Sequence, residues 1–138
     1  LYIAPNTNAL VVVMNTFNDI QEEVTIEDIP INKWVCVQIR VQNHQLDVYI
    51  NGKLAKRLIM KGVPKQNYGD VYVAMNGGFS GYMSELRYFN YGLGTAEIQR
   101  IVDKGPNLEM SGSQLTSSMP RYLSLRWFFT GNTDGYNP

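Results

Sequence analysis

Apolar and polar residues alternate at every second position through the middle of the chain. In Lys33–Asn43 and again in 46–50, the apolar positions are Val35, Val37, Ile39, Val41, Leu46, Val48 and Ile50. Because strand side chains point alternately to two faces, this spacing predicts two half-buried strands. The polar turn Asn43-His44-Gln45 joins them. Asn51-Gly52 then predicts a tight turn into a third strand, Lys53–Met60, since both turn positions tolerate positive φ.

Apolar runs on either side of this antiparallel meander predict further strands. They are Leu1–Pro5, Ala9–Thr16, a run through Val24 and Ile26, Asp70–Met75, Phe79–Asn90 and Arg121–Thr130. One short helix is expected after Gly94, with Glu97 at its third position and a stop at Gly105-Pro106. The pattern therefore predicts an all-β fold, an antiparallel two-sheet jelly-roll sandwich with one short helix.

The apolar strand positions predict a core between the two sheets. Its expected members are Trp34, Val37, Ile39, Leu46, Val48, Ile50, Phe79 and Met83. The chain has 138 residues, which suits one domain. We assign 1–109 to the sandwich, which we expect to lack its first strands because the chain starts at Leu1 within a strand-like run. A Ser/Gly-rich linker is assigned to 110–118, and an aromatic strand with a tail to 119–138.

Composition removes several classes of function. Lys plus Arg and Asp plus Glu each number 12, so the net charge is zero and gives no general reason to bind nucleic acid. A lone cysteine, Cys36, excludes an internal disulfide and a four-cysteine zinc site, and the lone His44 excludes a three-histidine metal site. No apolar run in this chain is long enough for a membrane-spanning helix.

Two segments resemble laminin-G-like domains of the concanavalin A-like lectin/glucanase superfamily. The segment 79–93 is similar to the closing motif F-x-G-x-I-D-E-V-R-I-Y-N-R-A-L, with outright matches at Phe79, Gly81, Glu85, Arg87, Asn90 and Leu93. Glu97-Ile98 falls where a trailing E-I is expected. Upstream, Trp34 and the hairpin 46–52 resemble W-x-x-V and L-x-L-Y-V-D-G. The departures are Ser84 in place of Asp and Tyr91-Gly92 in place of Arg-Ala.

The resemblance covers 11–102 and implies a jelly-roll sandwich without fixing the function. Similar domains occur in extracellular proteins, bacterial surface proteins and structural proteins of large DNA viruses. It also raises the question of calcium, which many relatives bind through loop oxygens. The loop residues concerned are Asn6, Asn8, Asn15, Asn18, Asp19, Asp70 and Asn76. Since they form no dense acidic cluster, we interpret them as turn formers and expect no cofactor, with Ca²⁺ as the alternative.

A glycosidase needs two carboxylates flanking the scissile bond, about 5 Å apart in a retaining enzyme. The glucanase signature E-x-D-x-x-E does not occur in this sequence. Asp47 and Glu85 have no carboxylate two or four positions away, and we interpret them as surface carboxylates or, for Glu85, as the partner of Arg87. His44 is interpreted as a solvated turn residue and Cys36 as a buried thiol. We therefore assign no catalytic and no metal-binding residues, and predict that the chain is not an enzyme.

Seven aromatic residues are candidates for a ligand or partner surface, with core packing and pairing back into the sandwich as the alternative interpretation. The positions are Tyr49, Tyr72, Tyr82, Tyr122, Trp127, Phe128 and Phe129. Such side chains suit protein interfaces and sugar stacking equally. The leading hypothesis is a non-catalytic interaction module that contacts neighbouring subunits in a surface or particle assembly, specifically a large-virus minor capsid protein located in the virion or on an extracellular surface. The alternatives are a glycan-binding lectin domain and a glycoside hydrolase relative.

Overall fold

A computed structural model describes residues 1–19 and 21–109. Within this part, Leu1–Asn107 form one compact unit. The predicted linker 110–118 and the aromatic strand and tail 119–138 lie outside the described residues, so the structure does not test those assignments.

The described chain folds into two antiparallel sheets and one helix. The strands are β1 (Tyr2–Ile3), β2 (Leu10–Met14), β3 (Glu22–Ile26), β4 (Val37–Gln42), β5 (Gln45–Ile50) and β6 (Lys53–Ile59), and the helix is α1 (Thr95–Lys104). One sheet has the order β1-β2-β3 and the other β4-β5-β6. The predicted all-β class with two antiparallel sheets and one short helix is confirmed.

Local turn chemistry sets the register of the β4-β5-β6 meander. Val41 lies opposite Leu46 and Ile39 opposite Val48, so the alternating apolar residues share one face. The φ angles of Asn51 and Gly52 are 51° and 79°, which confirms the predicted tight turn. β4 begins at Val37, four positions later than the predicted start at Lys33.

The core lies between the two sheets. Its buried members come from both sheets and from the residue after β6: Leu10, Val12, Val24, Ile26, Leu46, Val48 and Met60. Leu46 and Val48 are completely buried, as predicted, and Ile50 packs against the cluster. The two sheets meet through β3 and β6, at the side of the second sheet opposite β4.

Several predicted core residues are wrong. Trp34, Val37, Ile39, Phe79 and Met83 are all partly exposed, with Phe79 retaining 50% of its accessible surface. For Val37 and Ile39 the cause is position: their face points the same way as Leu46 and Val48, but β4 lies away from the β3–β6 contact that joins the sheets.

The predicted strands Asp70–Met75 and Phe79–Asn90 are also wrong. The first is an irregular segment that leads into a single 3₁₀ turn at Met75–Gly77, and the second has no regular structure. Positive φ angles at Ala74, Asn76 and Glu85 (56°, 58° and 53°) break an extended backbone in both places. An extended run also needs a neighbouring strand to satisfy its backbone groups, and no described strand pairs with either segment.

Helix α1 forms where the sequence predicts it. The Gly94 N–H donates a hydrogen bond to the Glu97 carboxylate at 2.9 Å. At the other end, Gly105 ends the helix with a φ of 71°, and its backbone N–H donates a hydrogen bond to the Val102 carbonyl. Gln38 of β4 donates a side-chain hydrogen bond to the Ile98 carbonyl at 3.2 Å. The helix therefore lies against the face of the second sheet that points away from the core.

A cleft along the edge of strand β4

Strand β4 is an edge of its sheet, because β5 is its single strand partner in the described chain. The Asn51 amide donates to the Cys36 carbonyl at 2.9 Å, and in an antiparallel ladder the bonded positions recur at every second residue. Gln38, Arg40 and Gln42 therefore exchange backbone hydrogen bonds with β5. The N–H and C=O groups of Val37, Ile39 and Val41 consequently point outward, away from the sheet.

A cleft of about 490 Å³ runs along this edge, between residues 38–43 (β4 and the turn after it) and the segment 87–93, with Ile98 at its wall. Its polar lining consists of amides and guanidinium groups, from Gln38, Arg40, Gln42, Asn43, Arg87 and Asn90. Tyr88, Phe89 and Tyr91 add aromatic surface. No described carboxylate belongs to the lining, so the cleft offers hydrogen-bond donors, amide acceptors and aromatic rings but no carboxylic acid or carboxylate base.

Arg40 holds the two walls of the cleft together. One of its terminal nitrogens donates to the Leu93 carbonyl at 3.3 Å, and the other donates to an Asp47 carboxylate oxygen at 2.7 Å. Its guanidinium carbon lies 5.6 Å from the centre of the Tyr49 ring, within the range of a cation–π contact. The Arg40 Nε and the Gln38 Oε1 are buried and have no partner in the described part of the chain.

Asp47 is the buried anion behind this wall. It accepts hydrogen bonds from Arg57 at 2.6 Å, from Arg40 at 2.7 Å and from Gln45 at 2.8 Å. The Arg57 bond is the largest cause that lowers the pKa of Asp47, which falls from 3.8 to about 2 against the opposing effect of burial. The prediction that Asp47 is a surface carboxylate is wrong, because 0% of the residue is exposed.

Glu85 forms a second ion cluster beside the segment 87–93. Its carboxylate pairs with Arg87 at 2.7 Å, which confirms the predicted ion pair, and with Lys104 of α1 at 3.2 Å. The Lys104 hydrogen bond is the largest cause that lowers the pKa of Glu85. This cluster ties the segment before the cleft to the C-terminal end of the helix.

Each of the two clusters contains two cations and one anion. Arg40 and Arg57 share Asp47, while Arg87 and Lys104 share Glu85. Each cluster therefore carries one net positive charge, although the whole chain has a formal net charge of zero. Of these charged residues, Arg40 and Arg87 line the cleft, and no described carboxylate does.

A family model described as the concanavalin A-like lectin/glucanases superfamily, of laminin-G type, matches residues 1–99. The chain belongs to this superfamily. A crystal structure of an S-layer domain-containing protein from Clostridium thermocellum (residues 221–444) is similar to 69% of this chain, at 16% sequence identity and a TM-score of 0.43. The aligned part spans about half of that structure, 52%. No curated protein sequence matches the chain.

Membership in a superfamily that contains glucanases makes the placement of the carboxylates informative. Asp47 forms ion pairs with Arg40 and Arg57, and Glu85 forms ion pairs with Arg87 and Lys104. Glu22 is buried and accepts hydrogen bonds from Thr16 and from the Lys61 amide. Although burial opposes the change, these bonds lower the pKa of Glu22. These three carboxylates therefore hold the sandwich together through structural partners.

The structure separates the aromatic residues that the sequence groups as one surface. Tyr49 is buried beneath Arg40, so its ring does not reach the surface. Tyr72 and Tyr82 are strongly exposed in the irregular segments. Tyr122, Trp127, Phe128 and Phe129 lie outside the described residues.

The segment 68–91 is an exposed apolar region that the sequence pattern did not predict. Eleven large apolar residues are exposed between positions 68 and 91: Tyr68, Val71, Tyr72, Val73, Met75, Phe79, Tyr82, Met83, Leu86, Tyr88 and Tyr91. Monomeric soluble proteins rarely expose so many large apolar side chains close together. The high density of aromatic residues is visible in the sequence, but the predicted strand placed Phe79 and Met83 of this set in the core.

The remaining predicted residues occupy structural positions. His44 is exposed in the β4–β5 turn, as predicted, and Cys36 is half-buried just before β4, where burial raises the pKa of its thiol. Among the calcium candidates, Asn8 and Asn76 adopt positive φ, which is a turn-forming role. Within the described residues no three His, Cys, Asp or Glu side chains gather into a potential metal site. No described helix has the length and apolar character needed to cross a membrane.

Proposed function

We propose that this chain is a non-catalytic interaction module that contacts neighbouring protein subunits in a surface layer or a large particle, with a viral particle as the specific candidate. The observation that carries the proposal is the cleft beside the unpaired edge of β4. Strand edges bind other chains readily, and this one is flanked by exposed apolar side chains. Extracellular and surface placement follows the settings in which similar domains occur.

The lining of the cleft supports a binding role over a catalytic one. Hydrolysis of a glycosidic bond needs an acid and a second carboxylate around the substrate. The described cleft lining supplies neither, and Asp47 and Glu85 are held in ion pairs. We expect no hydrolysis of β-glucans by the purified chain. Turnover that Asp47→Asn or Glu85→Gln abolishes would contradict the proposal.

Amide hydrogen exchange tests the proposal directly. The chain is compared in its intact native assembly and as a purified protein. We expect slower exchange in the assembly for Val37, Ile39 and Val41 and for the segment 87–93, because a bound subunit would cover them. The β2–β3 ladder serves as the internal control, since its paired and buried strands should exchange slowly in both states. Equal exchange along β4 in the two states would contradict the proposal.

Glycan binding is the second candidate function, and one observation favours it. Amides, guanidinium groups and aromatic rings occur together in the cleft, and these groups hydrogen-bond and stack on sugars. A glycan array probed with the full chain tests it. Binding that is lost in Asn90→Ala, with Asn67→Ala as the matched control outside the cleft, would favour the lectin function.

A further inference from the structure

We propose that the edge of β4 binds an extended acidic segment of a partner protein, which adds to the β4-β5-β6 sheet as a fourth strand. This inference rests on the proposed function and specifies the chemistry of the partner. It draws on three independent features of the cleft: its outward backbone groups, the two kinds of side chain on its faces, and its local charge.

The backbone of β4 offers a row of outward hydrogen-bonding groups. Val37, Ile39 and Val41 each direct one N–H and one C=O away from β5, and no described residue bonds to them. A neighbouring strand lies about 4.7–4.9 Å away in a sheet, so a partner needs room beside the edge. The cleft of about 490 Å³ between β4 and the segment 87–93 provides that room along residues 38–43.

The two faces of β4 differ in polarity, which favours a partner segment whose residues alternate between apolar and polar. On the core-facing side, Val37 and Ile39 remain 36% and 37% exposed, and apolar partner side chains would cover them. On the other side, the partner meets Gln38 and Arg40, whose polar side chains line the cleft. Burying such groups unpaired costs free energy, so polar partner side chains that bond to them would be favoured there. A segment that alternates apolar and polar residues satisfies both sides.

Local charge selects an acidic segment. The Asp47 cluster and the Glu85 cluster each carry one net positive charge, and Arg40 and Arg87 from these clusters line the cleft. Carboxylates on the polar side of the added strand would meet these guanidinium groups, and complementary charge of this kind favours both encounter and register. Residues 121–130 of this chain contain two arginines and no carboxylate, so a separate acidic segment fits the charge better.

Three labelled peptides test the inference on the full chain. One alternates Glu and Val over seven residues, a second alternates Lys and Val, and a third has the composition of the first in two blocks. Binding is measured by fluorescence anisotropy, and the site by amide chemical shifts. We expect the alternating acidic peptide to bind at least about tenfold more tightly than the other two. It should shift the amides of Val37, Ile39 and Val41 and weaken as salt rises.

Two substitutions with matched controls separate the contribution of backbone hydrogen bonds to peptide binding from the contribution of charge. Ile39→Pro removes one outward N–H that the β4–β5 ladder does not use, and proline is tolerated at such edge positions. We expect it to weaken the acidic peptide about tenfold, while Ile39→Val binds like the wild type. Arg87→Gln should weaken the acidic peptide and flatten its salt dependence, while Lys65→Gln, an exposed lysine outside both clusters, should do neither.

Three results would overturn the inference. They are equal binding of the acidic and lysine peptides, unchanged binding in both Ile39→Pro and Arg87→Gln, and amide shifts confined to residues outside β4. The proposed function has its own readout, because protection of the β4 edge in the native assembly does not depend on an acidic peptide. Protection there without peptide binding would reject this inference and keep the proposed function.

Discussion

Strand β5 and the segment 68–91 are both rich in apolar residues, yet the first is buried and the second is largely exposed. β5 is buried on both faces, by the first sheet on one side and by Arg40, Arg57 and the chain around Ile98 on the other. Most of the large apolar residues in 68–91 remain exposed. The two regions differ in their neighbouring strands. β5 is hydrogen-bonded to β4 and β6, which tight turns connect to it, whereas 68–91 has no strand partner in the described chain.

The comparison teaches that an apolar run is buried only where a second layer reaches it. The first sheet reaches β5 and β6, and it leaves the inner face of β4 half-covered and 68–91 uncovered. A region that carries apolar side chains without a second layer is a natural place for a partner. The following substitutions test how sharply the two regions differ.

The largest effect is expected for Leu46→Ala. Leu46 is completely buried between the sheets, so removing its side chain leaves a cavity that costs about 3–4 kcal/mol of unfolding free energy. Urea unfolding followed by circular dichroism measures the loss. Leu86→Ala is the matched control in the exposed segment and should change stability by less than about 0.5 kcal/mol. Similar losses in the two variants would show that 68–91 is packed as tightly as β5.

Asp47→Asn is expected to cost about 3 kcal/mol. The change leaves Arg40 and Arg57 without their shared anion next to a buried site, and breaking a buried ion pair from one side is strongly destabilising. The same unfolding assay measures it. Asp103→Asn, on the exposed surface of α1, is the control and should be nearly neutral. Wild-type stability of Asp47→Asn would show that the negative charge of Asp47 is not needed to stabilise the buried polar face of β5.

Acid should remove the stabilisation that Asp47 provides. Its folded pKa of about 2 lies below its unfolded value of 3.8, so the charged form is favoured in the folded state. The contribution is full above the unfolded pKa and is lost as the pH falls from about 4 to about 2. The stability difference between wild type and Asp47→Asn should therefore shrink across this window. A constant difference would contradict the lowered pKa.

Gly52→Val should cost about 1–3 kcal/mol. Gly52 has a φ of 79°, which strains a β-branched residue, and an added Cβ would lie 2.9 Å from Oε1 of Gln99 in α1. Thermal unfolding measures the loss. Gln99→Ala in the same background relieves the contact but not the φ strain, so it should restore part of the stability. Wild-type stability of Gly52→Val would mean that the β5–β6 turn is not tight.

Phe79→Ala should have the smallest effect, less than about 1 kcal/mol, because half of the Phe79 surface is already exposed. The strand assignment from the sequence predicts about 3–5 kcal/mol for the same change. A loss of that size in the full chain would show that 79–90 forms a packed strand in solution.

The local elements of this protein follow from short stretches of its sequence. The Asn51-Gly52 turn, the alternation through β4 and β5 and the caps of α1 are contained within a few consecutive residues. Each formed where it was predicted, except that β4 begins at Val37 and not at Lys33. The superfamily could also be predicted from the sequence, because the residues of the hairpin and of 79–93 match the superfamily motifs in order and spacing.

Tertiary structure alone decided which of these elements are covered. Period-two alternation states that a strand has two unlike faces, but not whether a second layer or a neighbouring strand exists for it. Hence Asp47 and Tyr49, on the polar face of β5, are buried by Arg40 and the chain beyond it, while Phe79 and Ile39 are left exposed. The cleft along β4 is a long-range product of the same kind. Its walls, at 38–43 and 87–93, lie more than forty residues apart in the chain and meet only when the fold brings them together.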